Sequence, residues 1–153
     1  FHSTQEHVQL LQKQLLDEGL KNCGAIADEK IKSHILKSSV FAVAKSGTIS
    51  LEICNSKIPS IIIYKMGTIN FFIVKMLVKV KFANIVNIAA GEEVIPELLQ
   101  SKCNAKDIYN TVDKLMNDKT ALENQLNKTQ SIISNFKTDK SSEIASSILK
   151  DYI

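Results

Sequence analysis

The sequence predicts an α/β fold: a doubly wound parallel sheet with crossover helices, continued by a helical C-terminal segment. Three observations predict it. Short apolar, β-branched runs alternate with amphipathic helical patterns as far as Cys103. Beyond that point the periodicity is helical alone. A Ser-Gly-Thr turn (Ser46, Gly47, Thr48) stands where a predicted strand runs into a predicted helix.

Element by element, Ser3 or Thr4 is placed to cap a first helix, in which Val8, Leu11, Leu15 and Leu16 recur at helical spacing and which Gly19 ends. Residues 23–27 are a short apolar run, read as a strand. Asp28 caps a second helix whose Ile31, Ile35 and Leu36 share a face. Residues 40–44 read as a buried parallel strand. The Ser46-Gly47-Thr48 turn opens a third helix, with Ile49, Leu51, Ile53 and Cys54 at its buried positions. Ile58-Pro59 leads into a strand over 60–64, where Ile61, Ile62 and Ile63 follow one another. After the turn Met66-Gly67-Thr68, residues 69–78 read as a strongly apolar helix. Residues 83–88 read as one more short strand or extended segment, and 94–100 as a short helix containing Pro96. A long helix begins at Asn104 or Ala105, with Ile108, Val112, Leu115 and Met116 on one face, and helices over 120–136 and 142–152 follow. The expected organisation is a sheet domain over 1–103, incomplete at its start, and a helical extension over 104–153 that packs on that domain or on a second chain.

Composition excludes several classes. With 153 residues, 44% hydrophobic and 23% charged, the chain has apolar residues enough for one core and is no disordered tail. Three cysteines, Cys23, Cys54 and Cys103, are an odd number without paired spacing, so a disulfide framework is not expected and a reducing compartment is. No CxxC, HExxH or His-rich tract is present, so neither a metal nor another cofactor is expected. All 19 basic residues are lysine. Bidentate guanidinium contacts to phosphate or guanine are therefore unavailable, and with a net charge of +3 no nucleic-acid partner is expected. The sequence opens at Phe1 with no leader pattern, so no signal peptide is expected and the chain reads as starting inside a larger protein.

Two segments carry chemistry. In Ala44-Lys45-Ser46-Gly47-Thr48, a buried strand entering a glycine turn and a helix places free backbone N–H groups at the carboxyl edge of the sheet. That arrangement suits a phosphate, helped by the helix dipole and a hydroxyl. Glu52, one turn beyond Thr48, is placed to accept hydrogen bonds from a ribose. The same pattern also describes an ordinary helix cap with a solvated glutamate. The second segment runs from Asn87 to Gln100, with polar residues between apolar ones and Gly91 and Pro96 as punctuation. A loop after a strand commonly lines the ligand crevice of an α/β sheet, and a surface loop with a capped helix has the same look.

Residues 58–81 are apolar but interrupted by Lys65, Lys75, Lys79 and Lys81, so no uncharged stretch reaches the ~20 residues that span a bilayer. Two readings stand side by side. One is a buried helix; the other is surface attachment, with Phe71, Phe72, Ile73 and Met76 toward acyl chains and Lys75 and Lys79 toward anionic head groups.

In order along the chain, Ala42 to Glu52, Ile58-Pro59 with Ile63-Tyr64-Lys65, Leu77-Val78-Lys79, and Asn87 to Gln100 resemble four segments of the lipid-A-disaccharide synthases. Those segments are a Ser-Gly-Thr turn with Leu-Glu, a Pro-containing strand ending in Tyr and a basic residue, a Leu-Val-Lys run, and Asn-x-x-Ala-Gly-x-Glu-x-x-x-Glu-Leu-Leu-Gln. The match covers residues 40–100 best. The resemblance implies a GT-B glycosyltransferase of two Rossmann-like domains. Such an enzyme joins UDP-2,3-diacylglucosamine to 2,3-diacylglucosamine 1-phosphate, releases UDP, and is cytoplasmic and peripheral to the inner membrane. It further implies that this chain is the carboxyl-terminal, donor-binding part, inactive alone because the N-terminal domain with the acceptor pocket and base is missing.

Carried over by position, Ser46, Gly47 and Thr48 lie by the UDP diphosphate and Glu52 by the ribose. Asn87 and Gly91 line the nucleotide crevice, and Glu93, Glu97 and Gln100 belong to the same signature. No catalytic residue is assigned within the chain. Two positions depart from the family pattern: Glu92 stands where Arg is usual, and Val86 where Pro is. Family members exchange C-terminal helices between subunits, which implies a homodimer. The alternatives from other classes are a non-catalytic α/β interaction module left by a split gene, and another UDP-sugar transferase of the same architecture.

Overall fold

The computed structural model describes residues 1–67 and 81–136. The chain divides into two compact units, Phe1–Val40 and Phe41–Ile153. The first holds helices α1 (Gln5–Asp17) and α2 (Glu29–Ser38). Thr4 is the N-cap of α1, but its hydroxyl meets His7 Nδ1 at 2.6 Å instead of a backbone amide. Asp28 caps α2 as expected, its Oδ1 accepting from the N–H groups of Lys30 and Ile31 at 2.8 and 2.9 Å. Residues 23–27 do not form a strand; only an isolated parallel bridge joins His2 to Ile26. A single bridge offers no ladder for an apolar run to extend.

The second unit is built on an open parallel sheet in the order β1-β2-β3. β1 is Ala42–Lys45, β2 is Ser60–Tyr64 and β3 is Glu97–Leu99. Ala44 lies opposite Ile62, and Ile63 opposite Leu98. Helices α3 (Thr48–Asn55), α4 (Ile85–Ala90), α5 (Ala105–Asn117) and α6 (Lys119–Phe136) flank it, with a 3-10 turn over Gln100–Lys102. This is the α/β class that the alternation predicts. The centre of the core is Ile61, Ile62, Val86 and Ile95, none with accessible surface.

Three boundaries differ from expectation. The first strand begins two residues late, leaving Val40 76% exposed. Residues 83–88 are not a strand. Asn84 caps α4 by accepting the Val86 N–H at 2.9 Å, and Gly91, left-handed at φ 70°, ends it. The β-branched Ile85, Val86 and Ile88 suggest a strand by propensity alone. Residues 94–100 are not a helix. Proline pushes the residue before it out of the helical region. The Pro96 carbonyl then accepts the Ile62 N–H at 2.9 Å and draws the chain alongside β2. The helices expected over 69–78 and 142–152 lie outside the described residues, as do Phe71, Phe72, Lys75 and Lys79.

Helix α6 packs against α3, α4 and α5. Its buried Gln125 reaches the sheet: the side-chain oxygen accepts the Ser60 N–H at 2.9 Å and the amide donates to the Ser60 carbonyl at 3.0 Å. The Gln130 amide donates to the Cys54 carbonyl. The described part of the helical extension therefore belongs to the sheet's own packing.

Candidate functional site

The carboxyl ends of β1 and β2 meet one hydrogen-bonded network. Gly47 is the N-cap of α3 at φ 154°, ψ −167°, a conformation open to glycine and strained for other residues. Four helices are capped by side chains: α2 by Asp28, α4 by Asn84, α5 by Asn104 and α6 by Asp118. No side chain caps α3. Its N-terminus lies at the edge of the sheet, carrying the positive end of the helix dipole. Thr48 is exposed beside them, and Glu52 is exposed one turn along α3. Ser50, buried in the first turn, donates its hydroxyl to the Gly47 carbonyl at 2.6 Å and holds the turn closed.

Ser46 links the two predicted segments. Its hydroxyl donates to the Ala83 carbonyl at 2.7 Å. The Ala83 N–H in turn donates to Glu97 Oε2 at 2.8 Å, and the Asn84 N–H to Glu97 Oε1 at 2.9 Å. Glu97 Oε1 also accepts from Asn87 Nδ2 at 2.8 Å. Asn87, without accessible surface, donates to the Ile95 carbonyl at 2.7 Å and accepts from the N–H groups of Val94 and Ile95, both at 2.9 Å. Residues that stand far apart in sequence thus meet through one stretch of backbone at 83–84.

The remaining candidates hold neighbouring backbone. Glu93 Oε1 accepts the Glu97 N–H at 3.1 Å. Gln100, at a left-handed φ of 52°, accepts the Met66 N–H at 2.8 Å and donates to the Met66 carbonyl at 3.1 Å. That double bond clasps the loop leaving β2. Gly91 serves as the left-handed terminator of α4. Glu92 pairs with Lys128 of α6 at 2.7 Å.

Sequence reasoning passed over several participants. Ala83 and Asn84 join the motifs but lie in neither, and the only signal for Asn84 is an N-cap residue type ahead of an apolar run. Lys45 ends β1 with its ammonium 5.3 Å from the Tyr64 ring centroid, where β2 ends. Gln125 sits in a helix whose pattern reads as merely amphipathic. Cys54 is no nucleophile: burial pushes its thiol up to about 11, so it stays protonated. Among the described residues, no group of three or more His, Cys, Asp or Glu side chains could hold a metal ion, and no helix is long and apolar enough to cross a membrane.

A parallel open sheet whose carboxyl edge carries a glycine-opened, uncapped helix terminus defines a Rossmann-like α/β domain. Comparison with known sequences narrows this. The family model described as lipid-A-disaccharide synthetase matches residues 1–150. The chain belongs to the lipid-A-disaccharide synthetase family. It is 38% identical over 128 residues to the lipid-A-disaccharide synthase of Rickettsia typhi, covering 82% of this chain and 33% of that protein. With the Rickettsia prowazekii protein of the same name it shares 36% over 141 residues, 90% of this chain and 37% of that one. With that of Sulfurihydrogenibium sp. it shares 41% over 92 residues, 60% and 24% respectively. The chain spans about a third of the length of the curated Rickettsia relatives it matches.

Proposed function

We propose that this chain is the donor-binding portion of a lipid-A-disaccharide synthase. The whole enzyme transfers 2,3-diacylglucosamine from UDP to 2,3-diacylglucosamine 1-phosphate at the cytoplasmic face of the inner membrane. In this reading the diphosphate lies on the open amides of α3, beside Ser46, Gly47 and Thr48, and Glu52 accepts the ribose hydroxyls. Gly91 borders the crevice. Asn87, Glu93, Glu97 and Gln100 hold its walls, since their side chains bond the backbone of neighbouring segments.

The observation that carries the reading is the Ser46–Ala83–Glu97 linkage, which brings both segments to one sheet edge beside an uncapped helix terminus. Chemically, fixed amides aimed at a leaving UDP stabilise the negative charge that develops as the glycosidic bond breaks. They do so without reorganising, because the turn is already closed. Glu92, in the position where the family resemblance has Arg, is neutralised by Lys128, so it adds little repulsion toward an anionic donor.

Titrating the folded chain with UDP while following amide resonances tests the proposal. The expected result is saturable shifts confined to 46–52 and 83–97. Unchanged resonances at millimolar UDP overturn it.

A further inference from the structure

One polar atom in the network has no partner. Asn84 has no accessible surface, and among the described residues its Nδ2 has no hydrogen-bond partner. Its orientation is fixed, because Oδ1 accepts the Val86 N–H at 2.9 Å; turning the amide over would set two donors against each other. The groups around it are satisfied: both Glu97 oxygens, the Asn87 amide, and the N–H groups of Ala83 and Asn84 itself. A buried donor left unpaired costs about 1–3 kcal/mol and is rare in folded proteins. Serine caps a helix as well as asparagine does, so the capping duty alone does not call for a second polar atom here.

The place of this donor is informative. Asn84 follows Ala83, whose carbonyl holds the Ser46 hydroxyl at the mouth of α3. Ser46 has one hydroxyl proton, already committed to that carbonyl. An anionic oxygen arriving at the α3 amides competes for it. When the proton turns to the ligand, the Ala83 carbonyl is released from the turn while Glu97 still holds the Ala83 and Asn84 N–H groups, so the segment stays beside the α3 mouth with the Asn84 amide as its one uncommitted donor.

We infer that Asn84 Nδ2 is a phosphate-oxygen donor of this crevice, paired when a nucleoside diphosphate is bound. This rests on the nucleotide reading above and extends it to a residue outside both sequence motifs. The exchange is of hydrogen bonds only: Ser46 gives up Ala83 for a phosphate oxygen, and Asn84 gains a second one.

The test compares UDP, uridine and inorganic pyrophosphate binding to the folded 153-residue chain and to two variants. N84S keeps the cap and removes the donor. N84D keeps the shape and the capping oxygen and replaces the donor by an acceptor. For N84S, UDP and pyrophosphate affinities fall about tenfold, the size of one hydrogen bond to a charged group. Uridine affinity stays unchanged, and the thermal midpoint holds or rises because the unpaired donor is gone. N84D binds UDP more weakly still. A purely structural role moves stability and affinity down together, so the opposite signs identify a ligand contact. If N84S binds UDP as the parent does, the orphan serves an internal water and the inference is overturned. If N84S loses uridine but not pyrophosphate, Asn84 reads the nucleoside and the phosphate assignment fails. A folded parent that leaves UDP unbound removes the nucleotide reading itself.

Discussion

Asn87 commits its whole amide to the chain: two donated and two accepted hydrogen bonds, three of them buried and the one to Glu97 part-buried. Its substitution therefore reads out how the crevice wall is held. N87A strands the Ile95 N–H and carbonyl and leaves the Val94 N–H only the Glu92 carbonyl at 3.1 Å, and is expected to lower stability by about 3 kcal/mol in urea unfolding. A loss within a few tenths of a kcal/mol, the range of surface substitutions, would show that the network closes without it. N87D has the same shape but sets a carboxylate against Glu97 Oε1. The pair shares a proton, so one carboxyl is raised above its unfolded value near ~4. The sign follows: a raised folded value means stability is retained below about pH 4 and lost as pH rises through the raised value. Unfolding midpoints collected across that range check it, and a flat profile contradicts the pairing.

Among the elements, α6 makes one buried and one exposed side-chain contact whose magnitudes differ. Gln125 is 5% exposed and meets both backbone groups of Ser60. Lys128 and Glu92 are each more than half exposed, so their pair contributes about 0–1 kcal/mol. Q125L is therefore expected to cost about 2–3 kcal/mol and to speed amide exchange in β2, while K128A changes stability little. Equal effects would show that α6 is held by charge instead. The elements also show what a sequence pattern reaches. The alternation of β1, α3 and β2 was readable because Ala42–Lys45 and Ser60–Tyr64 are apolar runs bounded by Gly47 and Pro59. The two short elements that follow have the opposite type to the one their composition predicts. Ile85–Ala90 carries β-branched residues but is ruled by its cap and by Gly91; Glu97–Leu99 carries helix formers but is ruled by Pro96 and by pairing with β2. In elements of three to six residues, periodicity is too short to outvote tertiary contacts. The site was legible to the same degree. Ser46, Gly47, Asn87 and Glu97 stand in recognisable motifs, whereas Ala83, Asn84 and Gln125 matter through distances that no spacing rule encodes.

At the scale of the whole molecule, Glu97, Glu93 and Cys54 hold and orient; none of the three is set up to activate a nucleophile. Both Glu97 oxygens already accept N–H donors, Glu93 accepts the Glu97 amide, and the Cys54 thiol is buried and protonated. Withdrawing a proton from an acceptor hydroxyl with Glu97 would require breaking the contacts that keep 83–84 against the α3 turn. The α3 N-terminus, by contrast, has no side-chain cap, and on the proposed reading it meets negative charge without rearrangement. On the proposed reading this chain binds the leaving group and does not activate the attacking group; it spans about a third of the length of its Rickettsia relatives. The expected behaviour of the 153-residue chain is UDP binding without turnover. Incubated with UDP-2,3-diacylglucosamine and 2,3-diacylglucosamine 1-phosphate, it releases UDP no faster than the uncatalysed mixture, and release begins only when the remainder of a family member is supplied. Steady UDP release by this chain alone would place the base among its own residues and overturn that division of labour.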